Sequence, residues 1–102
     1  MAKTPEGKVK DAVKKLLDKK GVYHFSPYMA GFGRSGIPDI IACVAGSFYA
    51  IECKAGTGAP TALQHRELKK ITDAGGQAVV INEENIWQVE EYLNLMLATR
   101  CD

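Results

Sequence analysis

Hydrophobic residues fall along the chain either at helical spacing or in short unbroken runs, and each pattern predicts an element. Val9, Ala12, Val13, Leu16 and Leu17 return at helical spacing behind Thr4-Pro5, a capping hydroxyl followed by proline at the first helical position. Gly21 is a natural stop for that helix. Val22 to Phe25 reads as a short strand, and Ser26 to Gly36 as a loop whose turn residues are Ser26, Gly31, Gly33 and Gly36. Two apolar runs follow, Ile40 to Val44 and Phe48 to Ile51, flanking Ala45-Gly46-Ser47. They predict a β-hairpin with apolar residues on both faces, hence a sheet covered on both sides.

Ala55 to Ala59 is a second irregular stretch, after which Pro60-Thr61 opens a helix with Leu63, Leu68 and Ile71 as its buried side and Gly75-Gly76 as its end. Gln77 to Ile81 is a strand in which Ala78 to Ile81 form an unbroken apolar run, and Glu83 to about Thr99 a last helix with Ile86, Val89, Leu93, Met96 and Leu97 on one stripe. The order is α-β-β-β-α-β-α. The hairpin pairs antiparallel, whereas the last strand, reached through a helix, can pair parallel. The expected fold is α/β: a mixed four-stranded sheet flanked by helices, in one domain spanning residues 1–102.

Composition changes this picture little. Hydrophobic content of 46% and charged content of 25% suit a soluble globular chain. No apolar run approaches the ~20 residues of a spanning helix, and the lysine-rich start does not read as a signal peptide. Three cysteines without short spacing point away from a disulfide framework or a zinc site, so the expected setting is the cytoplasm.

Charge changes it more. Residues 1–70 carry 12 Lys/Arg against six Asp/Glu, a balance of +6, and residues 71–102 carry one against six, a balance of −5. A polyanionic partner such as DNA would be drawn to the first part. The lysines of the first helix could equally serve only to solvate it.

The chemistry concentrates in the hairpin. With Ala45-Gly46 as the loop, residues whose numbers sum to 91 face each other, and a four-residue loop from Val44 to Ser47 gives the same register. Asp39 then stands opposite Glu52, Cβ atoms roughly 4.5–5.5 Å apart. Lys54 falls on the same face as Glu52. Facing acids repel unless a cation lies between them, and these two belong to strands that are otherwise apolar. A surface ion-pair cluster would also join such residues. A site for Mg²⁺, held by one or two carboxylates with several waters retained, explains the facing acids better.

Other motifs carry less. Gly31-Phe32-Gly33-Arg34-Ser35-Gly36 has the spacing of a dinucleotide fingerprint, but Ile37-Pro38 and a strand follow where a helix is required. No phosphate loop of the Gly-Lys-Ser/Thr type is present, so no nucleotide cofactor is expected. His24 and His65 lack metal-ligand spacing, Ser35 lacks the partners of a nucleophile, and Trp87 and Tyr92 read as core or interface.

Gly36-Ile37-Pro38-Asp39 followed by Glu52-Cys53-Lys54 resembles the Pro-Asp…Glu-x-Lys signature of the PD-(D/E)XK nuclease superfamily, and in particular its VRR-NUC branch, small nucleases found alone in phages and within larger repair nucleases. Glu6 in the first helix, Gln64 in the helix after the Glu-x-Lys strand, and Gly75-Gly76 before the next strand extend the resemblance over roughly residues 4–81. A first-turn glutamate also suits a helix dipole, so Glu6 is open to either reading.

The resemblance implies a restriction-endonuclease-like αβββαβ core with an extra C-terminal helix, and Mg²⁺- or Mn²⁺-dependent hydrolysis of DNA phosphodiester bonds, with branched or four-way junction DNA as a candidate substrate. It implies Asp39, Glu52 and the Cys53 backbone carbonyl as metal ligands, Lys54 as the group that positions water or neutralises the phosphorane, and Glu6 and Gln64 as assisting residues. Arg34, Ser35, Lys8 and Tyr28 are expected to contact nucleic acid. A homodimer is expected, since cutting two strands needs two sites, with the Ser26 to Gly36 loop, which holds Tyr28 and Phe32, and the apolar stripe of the last helix as candidate interfaces. The alternatives are a non-catalytic nucleic-acid-binding module on the same fold, or a subunit that needs a partner protein.

Overall fold

A computed structural model describes residues 3–28 and 35–99. Helix α1 (Pro5–Lys19) begins as the sequence predicts: the Thr4 side chain accepts a hydrogen bond from the Gly7 amide at 3.0 Å, and Pro5 occupies the first turn. Strands β1 (Tyr23–Phe25), β2 (Ile40–Val44) and β3 (Ser47–Cys53) follow, then α2 (Ala62–Asp73), β4 (Gln77–Ile81) and α3 (Trp87–Ala98). The sheet order is β1-β2-β3-β4, antiparallel except for the parallel β3–β4 pair. This is the mixed sheet expected.

The hairpin register is also the one expected. Ile40 faces Ile51 and Val44 faces Ser47, so paired residue numbers sum to 91. Ala45 and Gly46 both have positive φ, 50° and 86°, the signature of a tight type I′ turn. That turn fixes the alternation of every residue in both strands.

One face of the sheet carries Ile40, Ala42, Val44, Tyr49, Ile51, Cys53 and Ile81, all buried. They form the core with Val9, Val13 and Leu17 of α1 and Val89 and Leu93 of α3. Tyr92 stacks on Tyr49 with ring centroids 4.4 Å apart. Each such buried aliphatic side chain contributes about 1.5–3 kcal/mol. Because Val89 and Leu93 are spent in this core, the apolar stripe of the last helix is not free for a second copy, contrary to expectation.

The opposite face is covered unequally. Helix α2 packs against β4, while Tyr23, Phe25 and Phe48 remain exposed, so the expectation of a sheet covered throughout is corrected. The inward side of α2 also differs from the one predicted. Leu63 is exposed, Leu68 and Ile71 are half-buried, and the buried residue is Glu67. Helix α3 starts at Trp87 rather than Glu83 because the Asn82 side-chain Oδ1 accepts hydrogen bonds from the Glu84 and Asn85 backbone amides, closing a turn that delays the helix. Strand β1 is a residue shorter than predicted, and the adjoining Val22 is buried.

Candidate active site

The hairpin register carries Asp39 and Glu52 to the same end of the sheet, where the facing strands emerge beside the first turn of α2. Asp39 precedes β2, and its Oδ2 accepts a hydrogen bond from the Cys53 amide at 2.8 Å. Glu52 lies within β3 and is only 1% exposed. Its Oε2 accepts from Gln64 Nε2 at 3.0 Å and lies 3.3 Å from Lys54 Nζ. Four of the residues singled out in the sequence, Asp39, Glu52, Lys54 and Gln64, therefore converge.

Local sequence explains the convergence. Gln64 is held at the start of α2 by a capping box: Thr61 accepts from the Gln64 amide, and Gln64 Oε1 accepts from the Thr61 amide at 2.8 Å. The remaining Nε2 donor is thereby turned toward Glu52. Gly36 places the segment leading to Asp39 against the same helix turn. Its φ is +84°, and a Cβ there would lie 2.5 Å from the Leu63 carbonyl oxygen, so only glycine permits the approach.

The electrostatics are those of crowded acids. Burial first, and then the charge of Asp39, push the Glu52 carboxyl up to about 7, against the opposing pull of Lys54. Glu52 Oε1 is buried and has no hydrogen-bond partner. An unpaired buried acceptor costs about 1–3 kcal/mol. An orphaned carboxylate oxygen beside a second acid is what a hard divalent cation would satisfy, so the donor set fits Mg²⁺ or Mn²⁺. Among the described residues, no three His, Cys, Asp or Glu side chains are grouped as a metal cage. Two carboxylates with retained water match the habit of Mg²⁺ rather than of a caged ion. The Cys53 thiol is no candidate ligand: it is fully buried on the opposite face, and burial pushes it up to about 12.

Other expected residues lie apart from this cluster or outside the described residues. Glu6 occupies the first turn of α1, near enough for its charge to act on Cys53, with no hydrogen bond to the acid pair among those described. Lys8 is on the opposite flank of α1 from Lys10, in a groove of about 290 Å³ with Pro5, Val9, Ala12, Glu83 and Ile86. Ser35 is exposed and shares a recess of about 250 Å³ with Leu63, Arg66, Glu67 and Lys70. Tyr28 is 89% exposed. Arg34 lies outside the described residues.

Sequence reasoning passed over Lys10. Its Nζ stands 3.5 Å from Asp39 Oδ1, reaching the site from α1. In the sequence it is one of six lysines on that helix and the turn that follows, with no mark to set it apart.

The family model for archaeal Holliday junction resolvases (Hjc) matches residues 7–93. The chain belongs to this family. It is also similar to a solved structure described as a VRR_NUC domain, with a TM-score of 0.72 and 23% identity over 90% of this chain and 97% of that one. That likeness speaks for the fold, which is the restriction-endonuclease-like fold expected of a VRR-NUC nuclease. No curated protein matches the chain. Membership of the family extends the expected resemblance through α3 as far as Leu93.

Proposed function

We propose that the chain is a metal-dependent endonuclease that hydrolyses DNA phosphodiester bonds and favours four-way or other branched DNA. The observation that carries this reading is the half-buried Asp39, just before β2, beside the buried Glu52 of β3, with Lys54 and Gln64 converging on Glu52. A module that only bound nucleic acid would have no use for two facing acids, one of them with an unpartnered buried oxygen. Selectivity for junctions is supported by the family, whose description names Holliday junctions as the substrate.

In this reading Asp39, Glu52 and the Cys53 carbonyl would hold Mg²⁺ or Mn²⁺. The bound cation supplies Lewis-acid polarisation of a phosphoryl oxygen and a water made acidic enough to attack near neutral pH. Lys54, with its ammonium 3.3 Å from Glu52 Oε2, stabilises the negative charge that grows on the phosphorane. Gln64 holds Glu52 in place and orients the attacking water or a phosphate oxygen. The Cys53 amide fixes Asp39 through Oδ2, leaving Oδ1 as its outward oxygen. Glu6, Lys8, Tyr28, Arg34 and Ser35 are proposed to assist by meeting water or the DNA backbone.

One copy presents one such site, and cutting both strands of a two-fold symmetric junction calls for two. A homodimer is therefore part of the proposal. Sedimentation as a monomer at micromolar concentration, with and without DNA, would remove it. The nuclease itself is tested on a labelled panel of single strand, duplex, flap and four-way junction with Mg²⁺ or Mn²⁺, using wild type, Asp39→Ala and Lys54→Ala. Cutting that needs metal and disappears in both variants supports the reading. Binding of DNA without cutting under either metal would replace it with a binding module or a partner-dependent subunit.

A further inference from the structure

We propose that Lys10 is the displaceable cation of the acid pair: it neutralises Asp39 in the metal-free protein and gives up Asp39 Oδ1 when a divalent cation binds. The inference rests on the metal-dependent reading above and extends it to a residue outside the Pro-Asp…Glu-x-Lys motif.

The argument begins with the four acid oxygens. Asp39 Oδ2 is engaged by the Cys53 amide, and Glu52 Oε2 by Gln64 and Lys54. Glu52 Oε1 has no hydrogen-bond partner, and Asp39 Oδ1 has Lys10 Nζ at 3.5 Å. A cation bridging the two strands would use the two remaining oxygens, and one of them is already faced by an ammonium.

The two lysines of the site are not equivalent. The Lys54 side chain is 13% exposed, follows Glu52 on the same strand segment, and sits within 3.3 Å of its partner. The Lys10 side chain is 32% exposed and reaches over from α1. Its 3.5 Å separation exceeds the roughly 2.7–2.9 Å of a tight charge-assisted hydrogen bond. A compact charge on a flexible four-carbon stem, held mainly by Coulomb attraction and already at the rim, is the one free to leave.

Charge counting gives the motive. Holding a divalent cation requires both carboxylates ionised, and the two ammonium groups would by themselves balance that charge. Adding a divalent cation without other change would leave two excess positive charges in a part-buried site. Lys10 moving outward relieves this, and its ammonium then faces the side from which a phosphodiester anion must approach. The same side chain thus covers the acids in one state and is available to substrate in the other.

The test is titration of metal-free protein with Mn²⁺ by calorimetry, for wild type, Lys10→Met, Lys10→Arg and Lys14→Met. Lys10→Met removes the competing charge while keeping the length of the stem, and binds Mn²⁺ roughly two- to five-fold tighter, the range expected for loss of one partly exposed ion pair. Lys10→Arg binds no tighter than wild type, and Lys14→Met, which removes the same charge one turn along the helix, stays within about two-fold. Thermal melts add a readout that a folding defect would not mimic: Lys10→Met widens the gap in melting temperature between EDTA and saturating Mn²⁺, whereas a packing defect lowers both values together. Wild type binding Mn²⁺ while Lys10→Met binds equally or more weakly overturns the inference and leaves the nuclease reading standing. Failure of wild type and Lys10→Met alike to bind Mn²⁺ overturns both.

Discussion

Gln64 Nε2 donates to Glu52 Oε2 at 3.0 Å while the same amide's Oε1 accepts from the Thr61 backbone, so one side chain both caps α2 and holds a buried acid. Gln64→Ala should lose about 1 kcal/mol of stability through the cap and at least ten-fold in metal affinity through Glu52, the usual toll of removing an orienting partner. Gln64→Glu separates the two roles. It can rebuild the capping box but offers Glu52 no donor and adds a third negative charge, so chemical denaturation should show near-native stability and a cleavage assay a large loss. Full activity in Gln64→Glu would contradict the role given to Nε2.

The raised Glu52 carboxyl makes stability depend on pH in a definite direction. The folded state favours the protonated form up to about 7, whereas the unfolded chain releases that proton near 4.3. The contribution is complete below the unfolded value and fades as pH rises through about 7. In EDTA, urea melts should therefore show wild type losing on the order of a few kcal/mol relative to Glu52→Gln between pH 4 and pH 8. Added Mn²⁺ should restore wild type at pH 8 and leave Glu52→Gln unchanged. Parallel pH profiles for the two proteins would show that Glu52 is not held neutral.

Two glycines with similar backbone angles should respond very differently. Gly36→Ala meets backbone atoms of Leu63 and Gln64 at 2.5–2.9 Å in addition to its positive φ. Gly46→Ala has a φ of +86° and nothing within 4 Å, so only the intrinsic left-handed cost of roughly 1–2 kcal/mol applies. Melting should place Gly36→Ala clearly below Gly46→Ala, and only Gly36→Ala should impair cleavage, because it alone moves Asp39 relative to Gln64.

Lys54→Ala should reduce turnover by about 10²–10³, the scale of losing one electrostatic donor to a developing oxyanion. DNA affinity, measured by anisotropy in Ca²⁺, should change far less. Equal losses in turnover and affinity would make Lys54 a phosphate-binding residue rather than a catalytic one.

The hairpin was fully legible in the sequence because a two-residue turn at Ala45-Gly46 leaves one register, and that register alone brings Asp39 to Glu52. Helix α2 was legible in extent but not in orientation. The residues at i, i+3, i+4 and i+7 on its inner side are Gln64, Glu67, Leu68 and Ile71, so half of the stripe is polar, and apolar spacing alone wrongly brought in Leu63. The start of α3 was hidden because apolar periodicity does not register the Asn82 turn. Lys10 was hidden for a related reason. A lysine that reaches an acid on another element looks, in sequence, like its solvated neighbours, and only the packing of α1 against the sheet distinguishes it.

The most direct test of the acid pair as a hydrolytic centre is cleavage of a labelled four-way junction and a linear duplex of the same arms in Mg²⁺, by wild type and Glu52→Gln. The account predicts strand cuts in the junction by wild type, weak or absent cutting of the duplex, and none by Glu52→Gln or in EDTA. Cutting by Glu52→Gln at the wild-type rate, or no cutting by wild type in either Mg²⁺ or Mn²⁺, would contradict it.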